Sequence, residues 1–101
     1  MPNIARDELL TSLRRLRPDL ERDGVTHMSL FGSRARGDHR PDSDIDLMIE
    51  VNDDQPFSML KVVGIGHIVE DSIGLPANIF MKRSLDDKFV REAQPDLVRI
   101  F

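Results

Sequence analysis

The chain has 101 residues, no cysteine and a formal net charge of −4, which bounds it to a single domain over 1–101 and excludes disulfides and thiolate metal sites. No apolar run approaches the roughly 20 residues that cross a bilayer, and charges near the N-terminus stand where a signal peptide has its apolar centre, so a cytoplasmic protein without a membrane partner is expected. The acidic balance gives no strong sign of direct nucleic-acid binding, which calls for a basic surface.

Residues Ile4 to Leu16 place Leu9, Leu10, Leu13 and Leu16 at helical spacing, so one side faces a core. Arg14, Arg15 and Arg17 cluster near the end of that helix and read as a solvated face, with partner contact as the alternative. Pro18 breaks or restarts the helix. After Gly24, Val25 to Phe31 reads as the first strand, with His27 at an edge or half exposed.

The most informative stretch follows, FGSRARGDHRPDSDID over residues 31 to 46. Gly32 and Ser33 come directly after an apolar run, where a turn without bulky side chains lets backbone N–H groups approach a phosphate, and a helix opening there would add a favourable dipole. Arg34 or Arg36 could pair with phosphate oxygens, and His39 and Arg40 add to the local positive charge. In the next strand Ile45, Leu47, Ile49 and Val51 alternate, so Asp44 and Asp46 share the other face. Like charges that close resist ionising together unless a cation lies between them. Mg²⁺ suits such a site, because it takes hard oxygen ligands from one or two carboxylates and from substrate phosphates. The grouping is suited to holding a metal–triphosphate complex, with ATP or another nucleoside triphosphate as ligand.

Asn52 to Pro56 reads as a turn and Phe57 to about Ile73 as a second long helix, despite Gly64 and Gly66. Those two glycines indicate close helix packing or a weak point, His67 is structural, and Gly74 ends the helix. Ala77 to Met81 forms a third strand. Ser84 is the expected N-cap of a last helix through about Ala93, with Asp86 and Asp87 in its first turn, and Pro95 stops it. The apolar tail Leu97, Val98, Ile100 and Phe101 is expected to pack back on the sheet, with a partner interface as the alternative. The order of elements is an α/β alternation.

GSRARG followed by SDIDL resembles the signature of the polymerase-β-type nucleotidyltransferase superfamily, in particular its minimal nucleotidyltransferase (MNT) antitoxin branch. The likeness covers most of the chain, although only residues 31 to 47 carry a specific motif. It implies an α/β (α+β) nucleotidyltransferase fold, a small mixed β-sheet with helices packed on one side. It also implies that Gly32 and Ser33 contact the triphosphate and that Asp44 and Asp46 are the catalytic ligands of Mg²⁺, with Mn²⁺ as the alternative; Arg36, from the local positive charge, is expected as an auxiliary contact. Many members are antitoxins of a helical HEPN-domain toxin, and some transfer AMP from ATP onto a tyrosine of that toxin; the same partner and activity are expected here.

One position departs from the family pattern. The family's third carboxylate comes from a segment of the form Val-Asp-Leu-Val, and the matching segment is Ala77-Asn78-Ile79-Phe80, so Asn78 stands at a degenerate third-carboxylate position. An amide oxygen can ligate Mg²⁺ but brings no charge and is not a useful general base. Two readings follow: a slowed enzyme, or a catalytically weak or inactive antitoxin that neutralises its partner by binding.

Overall fold

The computed structural model describes residues 5–52, 54 and 56–101. Two short helices, α1 (Arg6–Arg14) and α2 (Arg17–Arg22), lead into strand β1 (Val25–Phe31). A single turn of helix, α3 (Ser33–Arg36), then precedes β2 (Ile45–Val51), and α4 (Met59–Ile73) crosses over to β3 (Ala77–Met81). Helix α5 (Asp87–Ala93) and a two-residue strand, β4 (Val98–Arg99), complete the described elements.

The sheet order is β3-β2-β1-β4. β1 pairs antiparallel with both β2 and β4, whereas β2 and β3 are parallel. A parallel pair needs a long crossover, and α4 supplies it. The sheet is therefore mixed, as expected.

The alternation read in β2 sorts its two faces. Ile45, Leu47 and Ile49 are fully buried, together with Met28 and Leu30 of β1, against Leu9 and Leu13 of α1, Leu20 of α2 and Ile65 and Val69 of α4. The opposite face carries a smaller cluster of Phe31, Met48 and Ala93 with Phe80, Leu85 and Phe89. Phe31 meets Phe80 and Phe89 edge-on, with ring centroids 5.4 and 5.9 Å apart, a geometry that aromatic quadrupoles favour. Helices on one side thus describes α1, α2 and α4, while α5 covers part of the other face because Phe31, Met48 and Phe80 need burial there.

Several boundaries differ from the sequence reading. Ile4, the expected start of the first helix, lies outside the described residues, as do positions 53 and 55 of the expected turn. The helix ends at Arg14 rather than Leu16, and Pro18 restarts it in the first turn of α2, where a missing N–H costs nothing. Helix α4 begins at Met59 because the Ser58 hydroxyl accepts from Lys61 N at 3.2 Å, which leaves Phe57 outside. Ser84 is not an N-cap. It lies in a 3-10 turn, Leu85 is extended to reach the aromatic cluster, and the Asp86 carboxylate accepts from Phe89 N at 2.7 Å.

The apolar tail packs back on the sheet. Ile100 and Phe101 are buried, and Ile100 N donates to Met28 O at 2.8 Å. Part of the arginine cluster expected to be solvated serves this contact, since Arg14 Nε donates to Ile100 O at 3.2 Å and Arg17 stacks over the Phe101 ring.

The two glycines of α4 play different parts. A Cβ on Gly66 would meet Ile79 of β3 at 3.6 Å, an ordinary packing distance, whereas Gly64 faces open space. Gly64→Ala should therefore stabilise the protein by about 1 kcal/mol, the helix-propensity difference. Thermal denaturation should show a rise in Tm of about 4–8 °C for a domain of this size; a fall would mean that the Gly64 side of α4 is packed.

Candidate active site

The register puts the site together. Phe31 at the end of β1 pairs with Asp46, and Asp46 pairs with Asn78 across the parallel ladder. The chain leaves β1 at Gly32 with φ 79° and ψ −158°, a conformation essentially confined to glycine. A Cβ at Gly32 would stand 2.5 Å from Asp46 Oδ2. Backbone and carboxylate thus approach within a space that admits no side chain, and the candidate phosphate turn lies against the candidate metal ligand.

Ser33 follows as the first residue of α3, half buried. With only one turn, α3 contributes little dipole, so the turn's value for a phosphate lies in its bare backbone. Arg34, one of the two arginines offered as a phosphate contact, is 1% exposed. Its Nε donates to Ser43 O at 2.9 Å and its Nη2 to Pro41 O at 3.1 Å, so the guanidinium holds from beneath the loop that leads to Asp44. Burial lowers its pKa, opposed by the negative charges of Asp42 and Asp44. Nη1 has no hydrogen-bond partner among the described residues. The planar guanidinium spans the two carbonyls with donors at a fixed spacing.

Arg36 is on the surface and is held by two carboxylates, Asp38 at 3.1 Å and Asp96 at 3.0 Å. The hydrogen bond to Asp38, then that to Asp96, raises its pKa. To reach a phosphate it would have to leave these partners, which exposed ion pairs allow at small cost.

Asn78, expected at the degenerate third-carboxylate position, lies beside Asp46. Its Nδ2 donates to Asp46 Oδ1 at 3.0 Å and to Asp44 Oδ2 at 3.3 Å. The start of β3 is pinned by Glu70 of α4, whose carboxylate accepts from Ala77 N at 2.9 Å, and by Ile45 N donating to Pro76 O at 2.8 Å. Neither Glu70 nor the buried Arg34 carries a periodicity signal that sequence reading could have used.

A groove of about 370 Å³ between α4 and the outer edge of β3 runs to Asn78, lined by Val62, Val63, Gly66, His67 and Phe80 among others. His67, expected to be structural, is exposed on this groove. A second cavity, about 380 Å³, lies near Glu50 and Lys82 and includes none of the candidate residues.

The donors fit a hard divalent cation. Asp44 and Asp46 supply carboxylate oxygens on one side of the sheet, Asn78 can supply an amide oxygen, and the cradle over Gly32 keeps bulk away from Asp46. Among the described residues, no group of three or more His, Asp or Glu side chains gathers to hold a metal.

A family model described as a nucleotidyltransferase domain matches residues 7–100. The protein adenylyltransferase MntA of Thermococcus cleftensis is 30% identical over 80 residues, covering 79% of each chain. A solved candidate minimal nucleotidyltransferase is similar with TM-score 0.74 and 26% identity, over 90% of this chain and 92% of that one. A chain in the complex of tri-AMPylated Shewanella oneidensis HEPN toxin with MNT antitoxin is similar with TM-score 0.69, over 92% of this chain and 71% of that one, at 10% identity, a likeness of fold alone.

The cradle makes a direct prediction. Gly32→Ala should cost roughly 1–3 kcal/mol from backbone strain and should also displace the Asp46 carboxylate. Urea denaturation should show the loss of stability; stability equal to the wild type would mean that the turn adopts another conformation.

Proposed function

Because the chain belongs to the nucleotidyltransferase domain family, we propose that it transfers AMP from Mg–ATP to a hydroxyl of a protein partner, acting as the antitoxin of a HEPN-domain toxin. The observation that carries this reading is the contact of the Gly32 turn with Asp46, which brings a phosphate-sized bare backbone and the carboxylate pair to one end of the sheet. The name of the Thermococcus relative supports protein adenylylation, and the AMPylated toxin in the Shewanella complex supports the partner class.

In this reading Gly32 and Ser33 position the triphosphate, with Arg36 as an auxiliary contact. Asp44 and Asp46 would hold Mg²⁺, or Mn²⁺ in its place; the cation would neutralise charge developing on the phosphates. The acceptor oxygen bonds to the α-phosphorus while the bond to the bridging oxygen breaks and pyrophosphate leaves. Asn78 cannot take the hydroxyl proton, because an amide is not basic, so the proton passes to a carboxylate or to water. Positioning and electrostatics supply most of the acceleration in phosphoryl chemistry.

A partner surface lies beside the site. Met59, Leu60 and Val63 of α4 are 75%, 83% and 47% exposed, and Val63 also lines the groove that includes Asn78. Exposed apolar side chains grouped on one helix suit a protein contact. No helix among the described residues is long and apolar enough to cross a membrane, and we place the protein and its partner in the cytoplasm.

Asn78 favours a second reading, neutralisation by binding alone. Incubation with ATP labelled at the α-phosphate, Mg²⁺ and a HEPN-domain protein from the same genome separates the two. Transfer predicts label on the partner, lowered by more than about 100-fold in Asp46→Asn, beyond the usual effect of outer-shell changes at metal sites. Co-elution without label favours the second reading. Neither label nor co-elution would contradict both.

A further inference from the structure

The charge count at the site limits how much positive charge it can accept. Asp44 and Asp46 bring two negative charges, and the group between them is neutral, with the Asn78 amide nitrogen 3.3 and 3.0 Å from their oxygens. An amide NH₂ has two hydrogens and no net charge, so it can satisfy one oxygen of each carboxylate without a cation. The buried Arg34 guanidinium, close enough to Asp44 to feel its charge, offsets part of the negative potential from below.

We propose that Asn78 is a specificity-determining residue that restricts this site to a single divalent cation, bound together with the triphosphate rather than held by the free protein. The inference rests on the nucleotidyl-transfer reading. A cation between Asp44 and Asp46 takes over the lone pairs that now face the Asn78 NH₂. The amide then turns about its soft terminal torsion to present its oxygen, or withdraws. Two carboxylates balance one such cation. A second would find no third acid grouped with Asp44 and Asp46 among the described residues and would rely on phosphate oxygens, with the Arg34 charge nearby. In the free protein, entry of even the first cation competes with the amide bridge.

Asn78 is exposed, so its substitution is compatible with folding, and circular dichroism checks this for each variant. Bound Mn²⁺ is counted by electron paramagnetic resonance, with and without a non-hydrolysable ATP analogue whose own uptake is followed by absorbance. The wild type should bind one Mn²⁺ per chain with the analogue and bind Mn²⁺ weakly without it. Asn78→Asp should bind two with the analogue, and its affinity for Mn²⁺ without nucleotide should rise at least about tenfold, because one added charge beside a divalent cation exceeds that factor even in bulk water. Asn78→Ala should stay at one with the analogue, because it removes the amide bridge but adds no carboxylate.

Two Mn²⁺ in the wild type would overturn the proposal while leaving nucleotidyl transfer standing, as would two in Asn78→Ala or an unchanged count and affinity in Asn78→Asp. Absence of analogue uptake by the wild type would overturn the underlying reading, and the proposal with it.

Discussion

Two carboxylates close together repel, and the architecture around Asp44 and Asp46 answers that repulsion with neutral and buried groups. The Asn78 amide donates to both acids, the Gly32 backbone leaves room for Asp46 where any Cβ would collide, and Arg34 holds the approach to Asp44 from inside the fold. Each depends on strand register. A slip of one residue between β1 and β2 would turn Asp46 into the core and Leu47 to solvent, and the buried Ile45, Leu47 and Ile49 oppose that slip with most of the hydrophobic face of the sheet. The same burial that makes the core therefore aims the acids.

Much of this was legible in the sequence because it follows from local period. Alternation in residues 45 to 51 placed the acids on one face, and the following helix and strand were read close to their observed limits. Asn78, on the strand read over Ala77 to Met81, pairs with Asp46. What was not legible depends on contacts distant in the chain. Arg34 reads as a phosphate ligand until the 37–44 loop folds over it. Ser84 reads as a cap until Leu85 is drawn to the aromatic cluster and leaves that role to Asp86. The second apolar face, with α5 on it, needs Phe31, Phe80 and Phe89 to meet, and they come from three separate elements.

The aromatic cluster also bears on function. Phe31 immediately precedes the Gly32 turn and Phe80 follows Asn78 by two residues, so packing of α5 on that face steadies both strands that present the site. On the other face Glu70 ties α4 to the first residue of β3. The candidate site is thus held by rigid elements on both sides of the sheet, which suits chemistry that relies on positioning. The present partners of the Asn78 side chain are the two acids, the groups a cation would take.

The central claim is that the Gly32 turn, Asp44, Asp46 and Asn78 form one ligand site at the end of the sheet. The direct measurement is nuclear magnetic resonance of the ¹⁵N-labelled protein during titration with Mg–ATP. The Asn78 side-chain NH₂ signals and the backbone amides of Gly32 and Ser33 should shift together, at one common affinity. Shifts confined to the cavity near Glu50 and Lys82, with Asn78 and Gly32 unmoved, would contradict it.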